Sequence, residues 1–156
     1  MNSISYQRES ALYRALLAFV FIPVSITLLY ATFTDDFILN QYYYGSAALL
    51  GFWYFGPIWI TLGLRAMAKD TLIVQWDESN IFLRNGRPIP WSTVTRIELK
   101  MPFLRRWAQP AQPFYRLHLY HNQFEDIQTG YVFTPIELKR NLGVLRKNWH
   151  LYKNRK

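Results

Sequence analysis

Between Ala15 and Phe33 the chain runs for 19 residues without a charged side chain. That is roughly 28 Å of helix at 1.5 Å per residue, the thickness of a bilayer hydrocarbon core. A second uncharged run extends from Tyr42 to Leu64, and its interior is dominated by Phe52, Trp53, Phe55, Trp59 and Ile60. The sequence therefore predicts a transmembrane α-helical hairpin with spans at about 15–33 and 44–64. The first run is longer than a signal-peptide core, contains Pro23, and has no small-x-small cleavage pattern before Asp35-Asp36. It reads as a retained anchor. Neither run shows the polar face of a helix in a soluble bundle.

Arg8 and Arg14 precede the first span, Arg65 and Lys69 follow the second, and the connecting segment holds Asp35 and Asp36 with no Lys or Arg. By the positive-inside rule both termini are expected in the cytosol. The connection, Thr34 to Tyr44, is too short for a domain, and Tyr42, Tyr43 and Tyr44 are expected at the outer headgroup level. Pro23 and Pro57 fall at similar depths, and each frees a carbonyl four residues earlier, at Phe19 and Trp53. Ala47 and Gly51 have small-xxx-small spacing, and Gly56 and Gly63 lie seven apart on one face. That pattern lets a backbone approach closely: the first span, a second copy, or a larger membrane partner.

After Lys69 the pattern changes to period-two alternation, so a separate domain is expected over 70–156 and the hairpin segment over 1–69. Thr71 to Trp76 alternates into a turn at Asp77 to Asn80. Ile81 to Arg84 and Arg87 to Trp91 flank Asn85-Gly86, a tight-turn dipeptide, and Pro88 and Pro90 mark an edge strand. Thr95, Ile97, Leu99 and Met101 alternate with Arg96, Glu98 and Lys100. Phe114 to His121 and Gln128 to Phe133 are read as an antiparallel pair around a polar turn at Asn122 to Asp126. Thr134-Pro135-Ile136-Glu137 is a capping box with proline at the first helical position. It predicts a terminal helix whose stripe Leu138, Leu142, Leu145, Trp149 and Tyr152 lies on the sheet.

Several antiparallel strands followed by one capped helix resemble the bacterial pleckstrin-homology-like domains of small membrane proteins with two spans before the domain. The resemblance is carried by residues 72–97: a strand, an aspartate turn, Asn80-Ile81, the Asn85-Gly86 hairpin, then Ile89-Pro90-Trp91-Ser92-Thr93-Val94 leading into Arg96-Ile97. It implies an α+β cytosolic domain, an antiparallel sheet or partial barrel capped by the C-terminal helix. Five or six strands are countable after residue 70. The resemblance also implies a bacterial inner membrane, and binding or scaffolding rather than catalysis.

A search for chemistry supports the same expectation. The chain has no cysteine, which removes disulfides, thiolate metal sites, cysteine nucleophiles and lipidated thiols. His118 and His121, three apart on a strand, point to opposite faces, so no metal is expected. No phosphate-binding loop, nucleophile elbow or zinc-protease motif is present, and no carboxylate pair is placed for acid–base work. No enzyme activity and no cofactor are expected. The one way in which Glu98, His118 or Asp126 bears on catalysis is by meeting in a cleft.

Charge is the informative feature. Of the net +8, residues 1–69 contribute 4 − 3 = +1 and residues 70–156 contribute 14 − 7 = +7. Lys100, Arg105 and Arg106 stand beside Phe103, Leu104 and Trp107 in a segment interrupted by Pro102, Pro110 and Pro113. Cations there are expected to meet anionic headgroups at roughly 1 kcal/mol each, to meet a protein partner, or to be plainly solvated. Lys139, Arg140, Arg146 and Lys147 lie outside the apolar stripe of the terminal helix and join the candidate binding set. The tail Lys153-Asn154-Arg155-Lys156 invites nucleic acid, but a membrane tether argues against it. The expected role is a membrane-anchored module that contacts anionic lipid or docks on a partner. The alternative is an accessory subunit of a membrane complex, or an immunity protein against a membrane-acting toxin, using the glycine face of the second span.

Overall fold

Uncharged runs with no competing sheet partner form helices. In the computed structural model, which describes residues 1–102 and 110–153, α1 spans Arg8–Thr34 and α2 spans Ile38–Met67. Both are long and apolar enough to cross a membrane, and only 11% of the apolar window of each is buried. The turn between them is shorter than the sequence suggests, because Tyr42, Tyr43 and Tyr44 are already helical. Asp35 organises that turn: its Oδ1 accepts from the Phe37 N–H at 2.8 Å, and its carboxylate accepts from Asn40 Nδ2 at 3.2–3.3 Å.

The helices are in register as an antiparallel pair. Phe21 stacks on Phe55 with centroids 3.9 Å apart, and Phe19 meets Trp59 at 5.4 Å. The buried positions of α1 are all small: Ala11, Ala15, Ala18 and Ser25. Small residues at these positions let the two helix backbones approach closely. Hydroxyls inside the helices are satisfied by carbonyls one turn back: Ser25 Oγ donates to Phe21 O, Thr27 Oγ1 to Pro23 O, and Thr61 Oγ1 to Pro57 O.

The second unit is built from both sides of the hairpin. Asn2–Ser5 forms β1, which pairs antiparallel with β2, Leu72–Trp76, matching Asn2 to Trp76 and Ile4 to Val74. The Tyr6 N–H continues the ladder to Thr71 O at 3.2 Å. The first seven residues thus belong to the sheet-bearing unit rather than to the hairpin segment. β3 (Asn80–Phe82) and β4 (Pro88–Pro90) complete a four-stranded sheet in the order β1-β2-β3-β4. A three-stranded sheet, β5-β6-β7, is formed by Val94–Lys100, Phe114–Leu119 and Phe124–Gln128. Among the described residues six strands follow residue 70, and a seventh lies upstream of α1.

Local chemistry explains the turns. Asp77 Oδ1 accepts from the Ser79 and Asn80 N–H groups, while Trp91 Nε1 donates to Asp77 O at 2.9 Å and the Trp91 N–H to Ser79 O. Trp91, buried, therefore locks the aspartate turn to the segment Trp91–Thr93, a single 3₁₀ turn rather than the end of a strand. Gly86 takes φ +78°, and its N–H bonds Leu83 O while the Leu83 N–H bonds Arg87 O. The hairpin forms where Asn85-Gly86 predicts a turn, but Arg84 and Asn85 are its central residues and Gly86 alone is left-handed, a three-residue loop rather than a two-residue one.

One strand differs from expectation. β7 is Phe124–Gln128, and the stretch after it leaves the sheet, with Gly130 and Tyr131 at φ 69° and 61°. The β6–β7 turn is tighter than a polar loop over 122–126, because His121 and Asn122 both take positive φ, 62° and 58°. Glu125 and Asp126, poor strand formers, are held in the sheet by ion pairs with Arg87 and Arg116.

The terminal helix α3, Pro135–Tyr152, starts with the reciprocal capping box: Thr134 Oγ1 accepts from the Glu137 N–H, and Glu137 Oε2 accepts from the Thr134 N–H at 2.7 Å. Leu138 and Leu145 are buried on its inward face with Asn141, and Leu142, Trp149 and Tyr152 are half-buried. α3 lies mainly against β5.

Candidate functional site

Two surfaces carry the sequence-predicted cations that the structure describes, and it treats their charges differently. The outer face of the three-stranded sheet is a ladder of neutralised pairs. Glu98 accepts from Lys100 Nζ at 2.7 Å and Arg96 Nη2 at 2.6 Å, and lies 3.2 Å from His118 Nε2. Hydrogen bonds from Lys100 and His118, helped by the Arg96 charge, hold its carboxyl down at about 2. Arg116 clasps Asp126 in a bidentate pair at 2.8 and 2.9 Å, which raises the guanidinium's affinity for its proton. Its Cζ also sits 4.3 Å from the Phe124 ring centroid and 5.2 Å from that of Phe114.

Glu98 and His118 do meet, but on an open sheet face where a lysine and an arginine claim the same carboxylate. Lys100, a candidate lipid contact, is one of those partners and is thereby tied to the sheet. Arg105, Arg106 and Trp107, the rest of the candidate basic loop, lie outside the described residues.

The other surface is α3. Arg146, although exposed, is tied to the sheet: its Nε and Nη2 both donate to Ile97 O, at 3.0 and 2.9 Å. Trp149 Nε1 donates to Val94 O at 2.9 Å, and Lys153 Nζ rests 4.7 Å from the Trp149 ring centroid. Together Arg146 and Trp149 cover outward carbonyls of β5, an edge strand of its sheet, the kind of exposed ladder that otherwise recruits another chain. Their tertiary bonds leave no mark in the helical spacing. Beneath them, the buried Tyr115 hydroxyl donates to Leu138 O at 3.2 Å, and burial pushes the phenol up to about 12 despite the opposing hydrogen bond from Asn141. Lys139, Arg140 and Lys147, by contrast, are exposed.

In the hairpin the small residues divide into two groups. A Cβ on Gly51 would overlap Ser25 Oγ and stand 3.2 Å from Ser25 Cβ, and one on Gly45 would lie 3.3 Å from Thr32 Cγ2. Gly51 therefore serves the α1–α2 contact. Among the described residues, nothing lies within 4 Å of the same position on Gly56 or Gly63. Ala47 is exposed, whereas its neighbour Ala48 is fully buried. Pro23 and Pro57 are both exposed positions inside their helices. A groove of about 560 Å³ runs between the helices, lined by Phe21, Ser25, Leu28, Ala47, Gly51 and Trp53 among others. Among the described residues no group of three or more His, Asp or Glu side chains is placed to hold a metal ion.

Comparison with known proteins adds no neighbour: no protein-family model, no curated protein and no solved structure matches the chain significantly.

Proposed function

We propose that the chain is a non-enzymatic, membrane-anchored binding or scaffolding module of a bacterial inner membrane. In this reading a pleckstrin-homology-like domain, interrupted by a two-span hairpin, faces the cytosol and contacts anionic lipid headgroups or a partner protein. The observation that carries it is the pairing of β1 with β2 around the hairpin. That pairing supplies a seventh strand, in a four-plus-three arrangement closed by a capped helix. It also requires both ends of the hairpin to lie on one side of any membrane it crosses, in agreement with Arg8, Arg14, Arg65 and Lys69 flanking the spans.

Because the chain contains no cysteine, topology is testable with single cysteines at Ser3, Asp36 and Ser79 and a membrane-impermeant maleimide. Asp36→Cys should label in intact spheroplasts, and Ser3→Cys and Ser79→Cys only after lysis. Equal labelling at all three sites, or release of the protein from membranes by alkaline carbonate, refutes the topology. The binding role is tested by purification in mild detergent, where retained anionic phospholipid or a stoichiometric protein supports it.

The accessory-subunit or immunity reading is favoured by one specific observation, the open positions at Gly56 and Gly63. It expects a stoichiometric membrane partner that is lost on Gly56→Leu or Gly63→Leu. A partner retained by both variants excludes that face as the contact.

A further inference from the structure

The face of α3 opposite its buried stripe carries a second pattern. Ile136, Arg140, Val144, Lys147 and Leu151 recur at spacings of 4, 4, 3 and 4, which places them along one side of a helix with 3.6 residues per turn. Lys139 borders them. The apolar members are open to solvent: Ile136 is 80% exposed, Leu151 55% and Val144 40%. Glu137, the single acid of the helix, is engaged in the capping box at its start. Among the described residues no carboxylate stands within 4.0 Å of Lys139, Arg140 or Lys147. On the sheet the opposite holds, since Arg87, Arg96, Lys100 and Arg116 each meet an acid.

We infer that this face of α3 lies on the anionic headgroup layer of the bilayer, with Ile136 and Leu151 entering the acyl boundary between the cations. The inference rests on the membrane-anchored reading above and deepens it by naming the docking surface. Charge complementarity selects an anionic occupant, and the exposed apolar side chains select among anionic occupants. A nucleic-acid backbone would use the three cations and leave Ile136 and Leu151 in water, whereas a bilayer surface rewards both features at once. A hairpin in the same chain keeps the membrane at high effective concentration, so a weak surface suffices.

The test uses the full chain in lipid nanodiscs, with an environment-sensitive fluorophore on Leu151→Cys, on Ile60→Cys within the second span, or on Ser79→Cys as a turn control. Nanodiscs of pure phosphatidylcholine are compared with nanodiscs containing phosphatidylglycerol. The expected result is a blue-shifted Leu151 signal, protected from iodide only when phosphatidylglycerol is present. At about fivefold per cation, K139Q/R140Q/K147Q should lower the docked-to-undocked ratio on the order of 100-fold. It should leave the melting temperature unchanged. K139E/R140E/K147E should abolish the protection. A Leu151 label open to iodide in both lipids, beside a protected Ile60 label, overturns the docking surface while leaving the membrane anchor standing. An exposed Ile60 label overturns the anchor itself. Protection equal in both lipids refutes the role of the cations. Protection by an RNA oligomer or an acidic polypeptide, but not by phosphatidylglycerol, assigns the face to that class instead.

Discussion

Replacing Gly51 by alanine should loosen the α1–α2 contact at one identifiable point. The new Cβ overlaps Ser25 Oγ and stands 3.2 Å from Ser25 Cβ, and Ser25 is only 3% exposed. Rotating the serine away from the methyl sacrifices its bond to Phe21 O, 2.8 Å in the native protein, at about 1 kcal/mol. The Cβ–Cβ approach survives that rotation, so the helices must also part by a few tenths of an ångström. Overpacking of this kind costs about 1–3 kcal/mol. Ser25→Ala removes the hydroxyl and leaves the tight Cβ, so it should rescue Gly51→Ala in part; Ser25→Gly removes both atoms and should rescue it nearly completely. A double-mutant cycle, read by SDS titration of the full chain in mixed micelles through Trp53 and Trp59 fluorescence, should therefore give a coupling of about 1–2.5 kcal/mol. Gly56→Ala is the control: with nothing near its Cβ position it should be neutral or mildly stabilising, because alanine is the better helix former. Effects of Gly51→Ala and Ser25→Gly that add within about 0.5 kcal/mol would refute the packing assigned to this pair.

Three further outcomes follow from the sheet-bearing unit. Thr134→Ala removes half of the capping box and should cost about 1 kcal/mol, lowering the domain's melting temperature by about 4–8 °C. Arg146→Met keeps the aliphatic stem but loses both bonds to Ile97 O; because the side chain is partly in water, about 1 kcal/mol of thermal stability should go. The lipid response of α3 should persist in that variant, which separates Arg146 from Lys139, Arg140 and Lys147. Glu98 titrates at about 2 in the folded protein, below its ordinary 4.5, so its contribution is present above about pH 4.5 and is lost as pH falls toward 2. Melting curves of the native protein and Glu98→Gln should therefore differ at pH 6 and converge at pH 2, and a pH-independent difference would contradict the ion-pair network.

Features that depend on neighbours in sequence were legible in advance. The absence of charge from Ala15 to Phe33, the turn signal at Asn85-Gly86 and the capping box at Thr134 to Glu137 each rest on a local rule; a helix, a hairpin loop and a capped helix form at these places, the loop one residue earlier than the dipeptide suggests. Features that depend on partners far away were not. Asn2-Ser3-Ile4-Ser5 holds one apolar residue and becomes a strand only because β2 lies beside it. Glu125 and Asp126 look like turn residues until Arg87 and Arg116 are seen to meet them. Arg146 looks like a surface cation because nothing in a helical repeat reveals a carbonyl on β5. For the candidate site, the basic character of α3 was visible in the sequence. The three apolar side chains among its cations were hidden behind the stronger signal of the buried stripe.

The pairing of β1 with β2 has a folding consequence that is open to direct test. Asn2 faces Trp76, so the four-stranded sheet cannot close until both helices have been made. A fragment of residues 70–156 lacks β1 and with it the buried Ile4 and Tyr6, side chains whose burial is worth about 1.5–3 kcal/mol each. Against a typical domain stability of about 5–15 kcal/mol, that loss is large. It also bares the edge of β2, a template for aggregation. Such a fragment should be poorly soluble and melt without cooperativity. The remedy is dictated by the ladder, because the Tyr6 N–H reaches Thr71 O at 3.2 Å. These two residues are therefore close enough for a two-residue turn. Joining Tyr6 to Thr71 through Asn-Gly in place of residues 7–70 converts β1 and β2 into a simple hairpin of the favoured turn type. The joined chain should be a soluble protein with a cooperative thermal transition, and Ile4→Asp within it should abolish that transition. If residues 70–156 alone melt as cooperatively as the joined chain, β1 is dispensable and the seven-strand arrangement is not what stabilises the domain.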